Sequence, residues 1–593
     1  MDALRFGLRA PSRRAVIRAF PGLAFAATGR AASARAPLSL PLPRASDVVV
    51  SLRNAEKTLL EAYARNAETA LSAYRPDRVE WHYVSSAAFV EKLKRQWGVK
   101  YVGATINANA ILPGDDGLAR DFDGNAIVAP WMRGKGWDSR WTTVASRQTR
   151  DALLRWIDRS FAAGADGLQV DDGWFQWVAE VWGAGDFSEA SIKGFGPWLA
   201  RHVPPARLRQ LGIIPGPNFN FRDWLKRKHG VHDAANYRWR RGRLPGADLW
   251  RRYLAADVLE FWTEMRAHVR SLAPAAPISA NVGLVRPDEM FVGLSGYVDY
   301  TVSELPVDQE PSAYALYGAT AESVGLPFVG CFQGKTSNRR YRRLIGAAFG
   351  SGINPAAPWD VFVPSVNEVV QPRHSPAPSA FIDLYDFVRD HRELIDGWRG
   401  AGDVALVVPA ATYSSDAVAA LAGRLTAAQV PFRVLPTDSA YRRLPPLGKR
   451  LAGARKLVLA QPRAAYGPET LAAVSRSPLA VLTAEQLDAT WLGRQSLGLL
   501  SGTRGWRLSG RCRVDDERRW LAHLIPSLAD ASAFEGTVTF HRSGRYRLSP
   551  MSRLRLLRPR AQPLVLSPVS SSNSGVVYSI PATEDWAILE PLD

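Results

Sequence analysis

Between about residues 76 and 400, short apolar segments alternate with longer segments whose apolar positions recur at helical spacing. This alternation is typical of parallel βα units. Eight units in about 320 residues fit a (β/α)8 TIM barrel with insertions. The segments predicted as strands are 79–84, 100–106, 126–131, 165–171, 277–283, 297–304, 327–333 and 350–360.

Beyond residue 400 the pattern changes. Apolar runs at 403–409, 432–435, 456–460 and 479–482, separated by helical segments, predict a small flavodoxin-like α/β domain over 401–486. The last hundred residues alternate in the manner of strands, which predicts a β-rich C-terminal domain, a β-sandwich, over 487–593. The predicted fold class is therefore α/β, with the barrel over 76–400 and a linker and N-terminal helix over 37–75.

The N-terminus carries the run Ser12-Arg13-Arg14-Ala15-Val16-Ile17-Arg18, followed by a modest apolar stretch and then Ala32-Ser33-Ala34. This arrangement is typical of a twin-arginine export signal with a cleavage site, predicted over residues 1–36. The protein is then expected in the periplasm or outside the cell. The alternative interpretation is an arginine-rich leader with no export role. No apolar run is long enough to predict a transmembrane segment.

The composition of the chain limits the classes of molecule that it could bind. The net charge is +19, but the arginines are spread over every segment and no nucleic-acid-binding motif accompanies them, which argues against a nucleic-acid partner. The positive charge suits an acidic polysaccharide. Two cysteines, Cys331 and Cys512, can form neither a disulfide framework nor a cysteine-rich metal site.

Three carboxylates stand where a barrel places its catalytic groups, at the C-terminal ends of strands. Asp171 and Asp172 end the fourth predicted strand and Glu304 ends the sixth. Glycoside hydrolysis needs two carboxyl groups flanking the scissile bond, and no metal or organic cofactor. These three residues are the predicted catalytic set. The alternatives are that an aspartate caps the next helix and that Glu304 is a surface carboxylate.

Aromatic and polar residues near the same strand ends predict a sugar-binding rim, because sugar rings pack their C–H faces on indole. The alternative for each tryptophan is a place in the core. The predicted substrate-binding residues are Trp81, His82, Asn107, Trp131, Trp174, Asn281, Gln333, Trp359 and Asp360.

With carboxylates on strands four and six, the barrel segment is similar to exported glycoside hydrolases of the α-galactosidase-type clan. That resemblance implies Asp171 or Asp172 as nucleophile, Glu304 as acid/base, and cleavage with retention. The clan usually has Asp where this chain has Glu304. The order of barrel, α/β domain and β-domain is similar to β-galactosidases with a trimerisation domain, which implies a homo-oligomer formed through residues 401–486.

Two other functions compete with hydrolysis. Val170-Asp171-Asp172-Gly173 is similar to the strand of metal-dependent polysaccharide deacetylases, but His229 and His232 lack the spacing of that metal site. The other alternative is a glycan-binding barrel without catalysis, since the fold alone does not imply activity.

Overall fold

The protein is described here by a computed structural model that covers residues 42–52, 61–84, 86–108, 115–130, 140–281, 289–362, 373–412, 416–541 and 548–592. The predicted export signal and Trp131 lie outside these residues. Within them, no helix has both the length and the apolar character needed to cross a membrane.

Eight parallel strands form the predicted barrel, each paired with its sequence neighbour. Closure comes from the Ala357 amide, which donates to the Val49 carbonyl at 2.8 Å. The strands are β1 (Val49–Ser51), β2 (Arg78–His82), β3 (Tyr101–Asn107), β4 (Gly167–Asp171), β5 (Ile278–Ala280), β6 (Tyr300–Pro306), β7 (Phe328–Gln333) and β8 (Asn354–Pro355), and the short β9 (Val361–Phe362) and β10 (Arg373–His374) extend the sheet.

Two strand predictions were wrong. The first strand, β1, lies in the segment predicted as linker and N-terminal helix, and it pairs in parallel with β2. The described part of the third predicted strand, residues 126–130, supplies no barrel strand; Ala126 and Val128 form isolated antiparallel bridges with Arg120 and Arg140. Local antiparallel pairing produces the same apolar alternation as a barrel strand. The two errors offset each other, so Asp171 still ends the fourth strand.

The helices that precede β4 and those that follow β5 surround the barrel. Their apolar faces pack against the outer faces of the strands and form one core with them. The connection between β4 and β5 has a hydrophobic core of its own, built largely from aromatic rings. The helices are α1 (Glu61–Tyr74), α2 (Ala87–Trp97), α3 (Arg147–Ala162), α4 (Phe175–Val181), α5 (Glu189–His202), α6 (Pro205–Leu211), α7 (Phe221–His229), α8 (Ala234–Arg240), α9 (Ala247–Leu272), α10 (Glu289–Leu294), α11 (Tyr314–Ser323), α12 (Asn338–Gly350) and α13 (Ile382–Asp390).

The α/β domain has the predicted parallel sheet, with the strand order β13-β12-β14-β15. Oligomerisation through this domain stays a prediction. Its elements are β12 (Val404–Pro409), α14 (Asp416–Ala427), β13 (Phe432–Thr437), α15 (Leu447–Arg450), β14 (Lys456–Leu459), α16 (Pro468–Ser475), β15 (Ala480–Thr483) and α17 (Ala489–Gln495).

Two sheets with an apolar core between them form the C-terminal β-sandwich. One sheet has the order β11-β17-β18-β24-β20-β21 and the other β16-β19-β23-β22. The strands are β11 (Trp398–Gly400), β16 (Gly498–Gly502), β17 (Trp506–Arg513), β18 (Trp520–Pro526), β19 (Phe534–His541), β20 (Leu554–Leu557), β21 (Leu564–Leu566), β22 (Ser570–Ser571), β23 (Gly575–Thr583) and β24 (Ala587–Pro591).

The barrel interior holds a buried ion pair near the N-terminal ends of the strands. Arg78 Nε donates to Glu80 Oε1 at 3.1 Å, and Tyr300 Oη donates to the same carboxylate at 3.0 Å. Burial raises the pKa of Glu80, opposed by the charge of Arg78. The Arg78 guanidinium also lies 3.7 Å from the centre of the Tyr101 ring. Room for this network comes from Gly167, where a Cβ would lie 2.1 Å from Tyr101 Oη.

We therefore expect Gly167→Ala to destabilise the fold by about 1–3 kcal/mol, because the added methyl group overpacks the barrel interior. Its Cβ would also lie 2.7 Å from the Pro277 carbonyl oxygen, which is backbone and cannot rotate away. Thermal unfolding of the full chain measures the effect.

The matched control is Gly423→Ala in α14, where a Cβ meets nothing within 4 Å. There the same change should be neutral or stabilise by up to about 1 kcal/mol. Equal effects of the two substitutions would contradict the packing argument for Gly167.

Candidate active site

A β-bulge in β2 turns two consecutive side chains into the barrel. Arg78 and Val79 pair in order with β3, but the register shifts before His82, and Trp81 has a φ of 52°. The extra residue lets Glu80 and Trp81 both face inward. Glu80 reaches Tyr300, and the Trp81 indole reaches the end of β4.

The bulge also turns His82 away from the rim. Its Nδ1 lies 3.0 Å from the Leu52 carbonyl oxygen, and its ring lies 5.5 Å from the ring of Phe89 on α2. The side chain is fully buried. The His82 ring therefore lies away from the Asp171 carboxylate, since simple strand alternation does not hold across the bulge, and its role in substrate binding stays a prediction.

Side chains from the ends of several barrel strands meet at Asp171. Its carboxylate accepts four hydrogen bonds from neutral donors: Trp81 Nε1 at 3.2 Å, Tyr83 Oη at 2.9 Å and Asn107 Nδ2 at 2.8 Å to Oδ2, and Asn281 Nδ2 at 3.1 Å to Oδ1. The side chain is 7% exposed. Four predicted site residues, Asp171 among them, therefore meet at one point.

The donors are themselves held in place. Asn281 Oδ1 accepts from Ser303 Oγ at 3.0 Å, which fixes which end of the amide faces Asp171. Asn107 Nδ2 also donates to Tyr83 Oη at 3.1 Å. Tyr83 was missed in the sequence analysis. Its place two residues after Trp81 was the available signal, since alternation puts such a pair on one face.

Asp172 stands outside this network. Its φ of 56° places it in the left-handed region, which Asp tolerates better than most residues. Its carbonyl accepts from the Phe175 amide at 3.3 Å, forming the turn into α4. Gly173 is required here because a Cβ would lie 2.7 Å from Cζ2 of Trp262 on α9. The turn therefore separates the two adjacent carboxylates.

Glu304 lies on β6 two residues after Val302 and four after Tyr300, both inside the barrel. Alternation gives Glu304 the same inward orientation, and it is partly exposed. Gln333 ends β7 and is also partly exposed. Gln333 lies at the C-terminal end of its strand and Glu304 lies two residues before the end of β6, both toward the side of the barrel where Asp171 ends β4.

The predicted tryptophan rim is not formed as expected. Trp81 is 2% exposed, so its ring offers no stacking face and its N–H is directed at Asp171. Trp359 is 1% exposed and belongs to the main core. Apolar packing accounts for both positions. Trp174, just before α4, remains partly exposed, and Asp360 is buried after β8.

A metal centre finds no support among the described residues, where no group of three His, Cys, Asp or Glu side chains could hold an ion. His229 packs its ring 4.4 Å from that of Trp224, and His232 pairs with Asp233 at 3.4 Å. These two histidines do not face the end of β4, where the deacetylase interpretation needs them.

A second buried carboxylate lies in α4, immediately after the site turn. Glu180 accepts from Tyr237 Oη of α8 at 2.7 Å and is 2% exposed. Burial raises its pKa to about 7, and the Tyr237 hydrogen bond and Arg241 only partly offset this. Its burial could not be predicted from the sequence, because an isolated Glu in an amphipathic helix is usually at the surface.

The fold and site together define a (β/α)8 barrel with a buried carboxylate at its C-terminal rim, followed by an α/β domain and a β-sandwich. The sequence matches no protein-family model and no curated protein. Solved glycosidase structures share the fold over nearly the whole chain.

Three such structures can be compared. The α-L-fucosidase isoenzyme 2 of Paenibacillus thiaminolyticus is 12% identical, with a TM-score of 0.57 over 93% of this chain and 100% of its own. The β-galactosidase of Bacillus circulans sp. alkalophilus is 11% identical, with a TM-score of 0.59 over 93% and 99%. The β-galactosidase of Rahnella sp. R3 is 11% identical, with a TM-score of 0.53 over 91% and 100%. They confirm the predicted fold class.

Glu180 generates a pH prediction. A carboxyl group whose pKa rises from 4.5 unfolded to about 7 folded stabilises the protein fully below pH 4.5, and this contribution is lost as pH rises through 7. The loss is about 3 kcal/mol. Glu180→Gln should remove this pH dependence while its side-chain oxygen still accepts from Tyr237, so the variant should gain stability relative to the unmodified chain at pH 8.

Thermal unfolding between pH 4.5 and 8 measures this difference. Glu189→Gln is the control, since Glu189 is exposed in α5 and its substitution should leave the pH profile nearly unchanged. A parallel shift of the Glu180→Gln curve at every pH would show that the carboxyl group does not titrate differently on folding.

Proposed function

We propose that the protein is a glycoside hydrolase that acts at the C-terminal rim of the barrel, with Asp171 as nucleophile, Glu304 as acid/base and retention of configuration. The observation that carries the proposal is the Asp171 carboxylate, nearly buried and held by four neutral donors. The shared fold with glycosidases supports the same class.

The neutral hydrogen-bond donors around Asp171 suit a nucleophile. No lysine, arginine or histidine among the described residues pairs with Asp171, so the donors orient its carboxylate and no cation neutralises it. Such a charge can stabilise the oxocarbenium-like transition state. Among the described residues, Oδ2 accepts three hydrogen bonds and Oδ1 accepts one, from Asn281. Oδ1 is therefore the oxygen that keeps a lone pair for the anomeric carbon.

Glu304 completes the reaction in this proposal. Its carboxyl proton passes to the leaving glycosidic oxygen while Asp171 Oδ1 bonds to the anomeric carbon, forming a glycosyl ester. The resulting Glu304 carboxylate then takes a proton from water, and the water oxygen displaces Asp171. Asn107, Asn281 and Tyr83 orient the nucleophile, and Gln333 and Trp174 are placed to contact the sugar.

Substitution of the two carboxylates tests this mechanism. Asp171→Asn should lower turnover of aryl glycosides by about 10³-fold or more, because an amide cannot form the glycosyl ester. Glu304→Gln should slow glycosides with poor leaving groups much more than nitrophenyl glycosides, which need little protonation. Steady-state kinetics on a panel of aryl glycosides provides the measurement.

Asp172→Asn is the matched control, since Asp172 is adjacent in sequence but outside the Asp171 network; it should cost far less than Asp171→Asn. Full turnover in Asp171→Asn would refute the proposed nucleophile. Binding of glycans without turnover by the unmodified chain would favour the non-catalytic glycan-binding alternative.

An acidic polysaccharide is the proposed substrate class, on the basis of a basic aromatic surface in the β4–β5 connection. Trp239 on α8 is 79% exposed, and its neighbours Arg238 and Arg243 are also exposed. Arg241 Nη2 donates to the Val181 carbonyl at 3.0 Å, which ties this surface to α4. An exposed indole between cations can stack on a sugar ring while the arginines face its carboxylates.

Trp239→Ala should therefore weaken binding of a uronic-acid polysaccharide by about threefold to tenfold, through loss of ring stacking. Turnover of small aryl glycosides should stay unchanged. Binding is measured by affinity electrophoresis in gels with anionic or neutral polysaccharide. Met551→Ala, at an 81% exposed apolar position in the β-sandwich, is the control. Equal retardation of Trp239→Ala and the unmodified chain would exclude this surface as a polysaccharide site.

A further inference from the structure

A small cavity of about 50 Å³ lies where the barrel, the α/β domain and the β-sandwich meet. Glu322 and Ser351 line it from the barrel side, Phe432 from the α/β domain, and Arg507 and Arg511 from β17 of the sandwich. Glu322 is near the C-terminal end of α11, which leads into the N-terminal end of β7, whereas the rim site is at the C-terminal ends of the strands. The rim site therefore does not explain this cavity.

Arg507 is a buried cation for which the described part of the chain provides no anionic partner. It is 4% exposed, and Nη2 donates to Ser351 Oγ at 3.1 Å. Its Nε has no hydrogen-bond partner among the described residues. Burial lowers its pKa to about 10, and no carboxylate opposes this. Buried charges are normally paired, so an uncompensated guanidinium lining a cavity indicates a missing anion.

The carboxylate that lines the same cavity is already engaged. Glu322 Oε1 accepts from Arg511 Nη2 at 2.7 Å, and Glu322 Oε2 accepts from the Gly400 amide at 2.9 Å. Glu322 therefore balances Arg511 and leaves Arg507 unbalanced. These three charged groups in the cavity wall sum to +1.

A further donor lies on the neighbouring strand. His523 pairs with Ser509, midway between Arg507 and Arg511 on β17. Its Nδ1 accepts from Trp586 Nε1 at 2.9 Å, so the ring proton is on Nε2, which has no partner among the described residues. His523 lines an adjoining cavity of about 600 Å³ that also shares Arg511 and Glu322. Arg507 Nε on β17 and His523 Nε2 on β18 are thus hydrogen-bond donors without a partner among the described residues, and they lie in the walls of two cavities that share Arg511 and Glu322.

We propose that this junction is a binding site for one small oxyanion, of the sulfate or phosphate type, held by Arg507 and Arg511. A volume of about 50 Å³ has room for about three or four water molecules, which is the size of one such anion and too small for a sugar ring. A planar guanidinium fork matches the oxygens of these anions. The bound anion would link the barrel to the β-sandwich and stabilise the three-domain arrangement.

Thermal unfolding of the full chain in sodium sulfate and in sodium chloride of equal ionic strength tests the proposal. The unmodified chain should gain stability with sulfate up to a plateau, as one site fills. Arg507→Met should be at least as stable as the unmodified chain in chloride, because it removes a buried unpaired charge. It should bind sulfate about tenfold or more weakly. Sodium phosphate and sodium acetate distinguish tetrahedral anions from a carboxylate.

Arg518→Met, at a side chain that is 93% exposed, is the control and should keep the plateau. A non-saturating rise that is identical in all three proteins would reflect a general salt effect and overturn the proposal. If Arg507→Met does not fold, calorimetric titration of the unmodified chain with sulfate decides: one site per chain supports the proposal, and heat of dilution alone overturns it.

Discussion

The buried carboxylate of Asp171 sets the geometry of the barrel rim. A carboxylate that is 7% exposed is costly to bury unless hydrogen bonds replace the water it loses. The four donors come from three places: Trp81 and Tyr83 from β2 and just beyond it, Asn107 from the end of β3, and Asn281 from the residue after β5. Each donor requires one strand register: Asn107 lies opposite Asp171, and the Asn281 amide donates to the Val170 carbonyl. A slip of one residue would turn these side chains to the other face of the sheet. The hydrogen bonds to Asp171 therefore stabilise the register of β2 to β5, and that register in turn positions the donors.

The layer beneath makes this alignment rigid. The Arg78–Glu80 pair is enclosed by Tyr101 and Tyr300, which links β2 to β3 and β6 across the barrel. The bulge at Trp81 is what allows β2 to serve both layers, since Glu80 meets the lower network and Trp81 meets Asp171. A barrel interior filled by a connected network of hydrogen bonds and an ion pair resists small displacements of its strands. That rigidity is the support a positioned nucleophile needs.

The sequence was sufficient for the architecture because apolar periodicity depends on local geometry. It identified seven of the eight barrel strands and every strand of the α/β domain. It failed at β1, which is too short to show a period, and at 126–131, where local bridges imitate a strand. At the site, Asp171, Asn107 and Asn281 were predicted from strand ends alone. The orientations of His82 and Trp81 could not be predicted because a bulge has no sequence signature, and Glu180 and Arg507 are buried by contacts distant in sequence.

The fold alone cannot set sugar specificity, because structures named for fucosidase and β-galactosidase activity share it at 11–12% identity. Specificity must then come from what is built around the rim. In this chain the largest such addition is the β4–β5 connection, which has its own aromatic core and starts one residue after Asp171. Gly173 and Trp262 fix its entry, and the Glu180–Tyr237 bond ties α8 to α4. An insertion anchored this closely to Asp171 can present Trp239 and its arginines in a fixed relation to the proposed nucleophile, which a mobile loop could not do.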